Sequence, residues 1–132
     1  MGRDIRLTSA TLASALIEGL CFCGIDVYDI GLGGTEGVYF ATSLGDAAGP
    51  FDGGIMVTAS HNPPDYNGLK FVREGPRPIS ADTGLKDMAA MIRDGQLPGR
   101  TAKAGALIEF DVRAAYVEHL LSYRHRRGAF QG

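Results

Sequence analysis

The stretch from Gly53 to Val72 constrains this chain more than any other. Gly53-Gly54-Ile55-Met56-Val57 is a short apolar run behind two glycines, and it predicts a buried strand. Asn62-Pro63-Pro64 forbids its continuation, because two prolines remove backbone donors and push the residues before them into extended or turn geometry. Asn67-Gly68 is a turn signal, and Leu69 to Val72 reads as a returning strand. Ser60 and His61 therefore stand where a buried strand leaves the sheet for a rigid loop. Lys70 follows the turn and comes back toward that loop. A hydroxyl, an imidazole and an ammonium converge on one sheet edge.

Strands and helices alternate on either side of this hairpin. Gly2 to Arg6 reads as the tail of a strand whose beginning is expected before Met1. Thr8 or Ser9 can cap a helix with Leu12, Leu16, Leu20 and Cys23 at helical spacing, ended by Gly24. Asp26 to Ile30 is a strand, and Gly31 to Gly34 a turn. Thr35 can cap a helix to about Leu44 that buries Val38, Phe40 and Ala41. Glu74 to Pro78 reads as rigid loop. Ser80 or Asp82 caps a third helix with Leu85, Met88, Ala89 and Ile92 on one apolar face, stopped by Gly95. A polar linker over 96–105 leads to a short edge strand at Ala106–Phe110. Asp111 then caps a last helix with Ala115, Val117, Leu120 and Leu121 inward. This alternation predicts a layered α/β domain whose sheet the central hairpin makes mixed. Ligands bind beyond the carboxyl ends of strands in such sheets, and Ser60 is at such an end.

With 132 residues the chain is long enough for one domain with a real core. A formal net charge of -2 argues against general nucleic-acid binding, which needs a positive surface. No apolar run approaches the roughly 20 residues of a membrane span, and no apolar segment follows Met1-Gly2-Arg3-Asp4 to make a signal peptide. Cys21 and Cys23 lie on a predicted helix and read as reduced thiols, which points to the cytoplasm. Their spacing suits a metal only with further Cys or His ligands nearby. The glycines of 31–34 invite a phosphate-loop reading, but neither GxxxxGK[ST] nor GxGxxG spacing is present. Arg124-His125-Arg126-Arg127 reads most simply as a solvated helix end, and His119 as a helix-surface residue.

Three readings of the Ser60 loop stand on residue chemistry. Ser60 can be a nucleophile and phosphate carrier, with His61 and Lys70 supplying proton transfer and charge stabilisation. It can belong to an acyl hydrolase, although the GxSxG elbow is absent and no Ser-Asp-His order is visible. The loop can also be structural, with Ser60 and Asn62 satisfying turn backbone.

Thr58-Ala59-Ser60-His61-Asn62-Pro63-Pro64-Asp65-Tyr66-Asn67-Gly68-Leu69-Lys70 closely resembles the phosphoserine loop of the α-D-phosphohexomutases, the phosphomannomutase and phosphoglucomutase enzymes. The resemblance extends in order through Gly2-Arg3-Asp4-Ile5-Arg6-Leu7-Thr8-Ser9, Asp26 to Gly31, Gly34-Thr35-Glu36 and Val38-Tyr39-Phe40-Ala41-Thr42. It continues through Arg73-Glu74-Gly75, Arg77-Pro78-Ile79-Ser80 and Asp82-Thr83-Gly84-Leu85. It spans roughly residues 2 to 123, and its wording is most like that of bacterial phosphomannomutases.

What the resemblance implies is a three-layer α/β/α domain with a mixed β-sheet, domain I of the family, over residues 1–132 and without its N-terminal start. It implies that Ser60 carries a phosphoryl group exchanged with hexose 6-phosphate or hexose 1-phosphate, of mannose or glucose, through a hexose 1,6-bisphosphate that also serves as activator. Mg2+ would bind through the phosphate on Ser60, and His61 and Lys70 would flank the nucleophile. Asn62, Pro63 and Gly68 would shape the loop. The family's opening tyrosine–aspartate–arginine–glycine segment is expected before Met1, and its metal, sugar and phosphate loops in domains II–IV after Gly132. Those domains and a hexose phosphate are the implied partners. A non-catalytic remnant or interaction module is the alternative.

Overall fold

The computed structural model describes residues 1–124. Its elements are β1 (Gly2–Arg3), α1 (Ser9–Phe22), β2 (Val27–Asp29), α2 (Thr35–Leu44), β3 (Gly53–Val57), β4 (Leu69–Arg73), β5 (Arg77–Pro78), α3 (Lys86–Arg93), β6 (Leu107–Glu109) and α4 (Arg113–Ser122). β1 and β3 pair in parallel, while β4 and β5 add antiparallel strands. β2 pairs in parallel with β6. Backbone bonds join the two groups: Ile30 N–H donates to Met1 O at 2.9 Å, Arg3 N–H to Gly31 O at 3.1 Å, and Gly33 N–H to Arg3 O at 3.0 Å. The strands thus lie side by side in the order β6-β2-β1-β3-β4-β5, a mixed sheet.

Alternation along β3 assigns the layers. Gly54 faces α2 so closely that a Cβ there would collide with the Thr42 hydroxyl and Val38. Ile55, pointing the other way, lines a cavity of about 700 Å3 with Phe71, Leu20 of α1 and Met88 of α3. Helices therefore cover both faces, and the three layers follow. α4 packs beside α2, with the Phe40 ring 5.3 Å from Tyr116 and 5.0 Å from His119. The fully covered core sits around Met56, Val57, Val38, Ala13 and Ala41.

Several local features depart from the sequence pattern. Thr8 occupies the N-cap of α1 without a side-chain cap bond, and the buried Ser9 turns its hydroxyl to Asp4 at 2.6 Å. The inward row of α1 runs through Ser9, Ala13, Leu16 and Leu20, which leaves Leu12 exposed. Gly34, not Thr35, is the N-cap of α2, and Thr42 is buried where Phe40 is only half-buried. Arg77–Pro78, expected as loop, pairs with β4 as an edge strand, a position that tolerates proline. Ser80 opens the third helical segment as expected, its N–H donating to Thr83 Oγ1 at 2.7 Å. Gly84, at φ 143, then breaks the run before α3. Ala89 and Ile92 of α3 are exposed, as are Val117, Leu120 and Leu121 of α4. α4 meets α2 through Tyr116 and His119, and Val112, Ala115 and Tyr116 are its covered residues instead. Val112, not Asp111, is the N-cap of α4; Asp111 stands one residue earlier and accepts the Arg113 N–H at 2.9 Å. His125, Arg126 and Arg127 lie outside the described residues.

Candidate active site

The ends of β1, β2 and β3 point to one edge of the sheet, because these strands run parallel. Three segments emerge there: Asp4 to Thr8 before α1, Ile30 to Gly34 before α2, and Thr58 to Gly68 between β3 and β4. The last is the Ser60 loop. It folds as two tight turns, Asn62 N–H donating to Ala59 O at 3.1 Å and Tyr66 N–H to Pro63 O at 3.0 Å. The expected turn at Asn67-Gly68 is absent. Gly68 already runs extended into the hairpin, its carbonyl accepting the Thr58 N–H at 2.9 Å. Asn67 instead ties the loop to α1, its Nδ2 donating to Thr8 Oγ1 at 3.0 Å and Ser9 Oγ at 2.9 Å.

The centre of the loop is a guanidinium. Arg6 Nη1 donates to the carbonyls of Pro63 and Tyr66, at 2.5 and 3.1 Å. Its Nη2 donates to the carbonyls of Ser60 and Asn62, at 2.6 and 2.7 Å. Its Nε donates to Asp4 Oδ2 at 3.1 Å. All five N–H groups of the side chain are thereby used. Asp4 also accepts the Arg6 backbone N–H at 3.1 Å and the Ser9 hydroxyl. Burial pushes the Asp4 carboxyl up, but the Ser9 and Thr58 hydroxyls and the Arg6 N–H and guanidinium outweigh it, holding it below the usual carboxylate range. The sequence pattern had put Asp4 and Arg6 in a strand tail with no role. Alternation of charge with Ile5 reads as a strand, so no local signal marked that this segment leaves the sheet and exposes Ile5.

Ser60 stands at the exposed tip of the loop with φ 54, the one non-glycine residue at positive φ among the described residues. That conformation costs a serine on the order of 1 kcal/mol and marks over-determined positions. Its N–H donates to Thr58 Oγ1 at 2.9 Å, and its carbonyl is held by Arg6. His61 is adjacent and exposed. Lys70 lies on β4 opposite Met56, on the α2 face of the sheet, and its ammonium is 3.4 Å from Thr35 Oγ1 at the start of α2. Ser60, His61 and Lys70 thus share one edge, and among the described residues no side-chain hydrogen bond joins them. The 700 Å3 cavity includes none of residues 58–70; it is an apolar space between α1 and α3, away from the polar edge.

Magnesium requires several oxygen ligands in near-octahedral array. Ser60 offers one oxygen, and among the described residues no group of three His, Cys, Asp or Glu side chains could hold a metal. The loop alone does not fit the ion beyond that single anchor.

Residues 1–96 match the family model for phosphoglucomutase/phosphomannomutase, alpha/beta/alpha domain I. The chain belongs to this family. It is 53% identical over 125 residues to a phosphomannomutase of Salmonella montevideo, covering 93% of this chain and 26% of the relative. A phosphomannomutase of Klebsiella pneumoniae is 51% identical over 120 residues, with 89% of this chain and 73% of the relative covered. A crystal structure of a phosphoglucomutase/phosphomannomutase family protein from Burkholderia thailandensis superposes with a TM-score of 0.77 at 37% identity, covering 92% of this chain and 26% of that one. The chain therefore spans about a quarter of the length of most of these relatives.

Proposed function

We propose that residues 1–132 are the phosphoserine-bearing domain I of a phosphohexomutase acting on hexose phosphates of mannose or glucose. A hydroxyl oxygen of the bound sugar phosphate attacks the phosphorus on Ser60, and a new P–O bond forms as the Ser60 Oγ–P bond breaks. The sugar hydroxyl loses its proton as Ser60 Oγ regains one, and a hexose 1,6-bisphosphate results. Transfer of the other phosphate back to Ser60 Oγ completes the interconversion of hexose 6-phosphate and hexose 1-phosphate. His61, one residue from the nucleophile, serves as the proton-transfer group, and Lys70 at the same edge offsets phosphoryl charge. Mg2+ held through the Ser60 phosphate would neutralise negative charge there, with its other ligands from outside the described residues. The further domains of the family complete the cleft as partners.

The observation that carries this reading is Ser60 itself: an exposed hydroxyl, at a strand's carboxyl edge, on backbone that serine rarely adopts. The test is intact mass after incubation with Mg2+ and a hexose 1,6-bisphosphate, beside Ser60→Ala. One added phosphoryl group that maps to Ser60 is expected. A gain that persists in Ser60→Ala would overturn the assignment.

A further inference from the structure

The carbonyls of Ser60, Asn62, Pro63 and Tyr66 all turn inward to one guanidinium. The described residues contain no cis peptide bond, so in each of these units the following N–H points the opposite way. Pro63 and Pro64 have no N–H to present. That leaves two N–H groups facing away from Arg6, that of Asn67 at the far end of the loop and that of His61 directly after Ser60. Among the described residues no acceptor pairs with the His61 N–H. An unpaired backbone donor one peptide from an exposed hydroxyl is suited to an anion carried on that hydroxyl.

We propose that Arg6 is a positioning residue for Ser60, holding the Ser60–His61 peptide so that the His61 N–H donates to the phosphoryl group on Ser60 Oγ. This rests on the reading of Ser60 as a phosphoryl carrier. Both sides of Ser60 are fixed for the task, its carbonyl by Arg6 Nη2 and its N–H by Thr58 Oγ1. Asp4 in turn orients Arg6 through Nε. A lysine could not replace this fork, because its three donors radiate from one nitrogen and cannot span four carbonyls and a carboxylate.

The experiment compares the 132-residue chain with Arg6→Lys and Arg6→Ala, using glucose 1,6-bisphosphate and Mg2+ as the probe. In the wild type, phosphorylation of Ser60 should move the His61 amide proton downfield and slow its exchange with solvent. Both variants should be phosphorylated at saturating probe on the order of tenfold to a hundredfold more slowly, without the amide shift. The half-saturating probe concentration should stay the same. Guanidinium ion added to Arg6→Ala should restore part of the rate, a rescue that a merely destabilised fold would not show. Wild-type rates in Arg6→Lys, or an unmoved His61 amide on phosphorylation of the wild type, would overturn the proposal. If the wild-type chain takes up no phosphoryl group, the carrier reading is what fails, and amide exchange still tests the clamp. Faster exchange in Arg6→Lys confined to residues 59–67, with β3 and β4 unchanged, would support it; an unchanged loop would sink it.

Discussion

Ser60 combines an exposed hydroxyl with a left-handed backbone, and the two properties separate by substitution. Glycine adopts φ 54 without penalty, whereas alanine keeps the strain that serine bears. Ser60→Gly should therefore melt at a higher temperature than Ser60→Ala, by up to about 1 kcal/mol of stability, while both lose phosphoryl uptake. Equal melting of the two would mean that the loop relaxes out of the left-handed region. Gly54 poses the opposite case. Its φ is unremarkable, but a Cβ would meet Val38 Cγ1 at 2.8 Å and Val72 Cγ2 at 3.1 Å, besides the Thr42 hydroxyl. Gly54→Ala should cost about 1–3 kcal/mol in chemical denaturation, the usual range for overpacking a close-packed site.

At the level of elements, the Ser60 loop is stable because it is anchored to the start of α1 rather than to its own hairpin. Ser9 sits at the junction, fully buried, donating to Asp4 and accepting from Asn67. Ser9→Ala would leave Asp4 one donor short and the Asn67 amide with only Thr8 as partner. A loss of about 1–3 kcal/mol is expected by denaturant titration, with faster proteolysis of the loop than of the strands. α3 behaves differently. Ile92 is 67% exposed, so Ile92→Ser should leave stability within about 0.5 kcal/mol. A larger loss would show that this face is packed in solution.

Across the whole molecule, acid should act through a few carboxylates held in their charged form. Asp4, Asp46 and Asp111 all lie below the ordinary value of 3.8, Asp111 at about 2 through its hydrogen bonds from the Arg113 side chain and backbone. For Asp46 the leading cause is the Tyr28 hydroxyl, which donates to it at 2.5 Å. Carboxyls depressed on folding contribute stability that is complete above their unfolded values and is lost as pH falls through the folded ones. The melting temperature should thus be level above about pH 5 and fall between about pH 4 and pH 2. Leu107, Val117, Leu120 and Leu121 are each about half exposed on β6 and α4. Sedimentation of the isolated chain should accordingly show concentration-dependent self-association. Mutase turnover by this chain alone should be near background in a coupled assay, because the described residues hold no group of three His, Cys, Asp or Glu side chains for a metal, and phosphoryl transfer rests on positioning and charge stabilisation.

The order of strands and helices, the hairpin around Ser60 and the mixed sheet were legible in the sequence, because hydrophobic periodicity, glycines and prolines act locally. The edge strand at Leu107–Glu109 and the helix end at Gly24 were marked in the same way, whereas its parallel pairing with β2 and the break at Gly84 were not. The burial of Ser9 in place of Leu12, and the exposure of Val117, Leu120 and Leu121, were not, because apolar spacing says which residues could face a partner and not where a partner lies. The same limit hid Arg6. Nothing in Gly2-Arg3-Asp4-Ile5-Arg6 shows that a side chain there will reach four carbonyls more than fifty residues away. The local chain chose serine, histidine and two prolines for the loop. Its conformation was decided by the parallel pairing of β1 with β3, which carries the Arg6 segment and the Ser60 segment out of the sheet at the same edge.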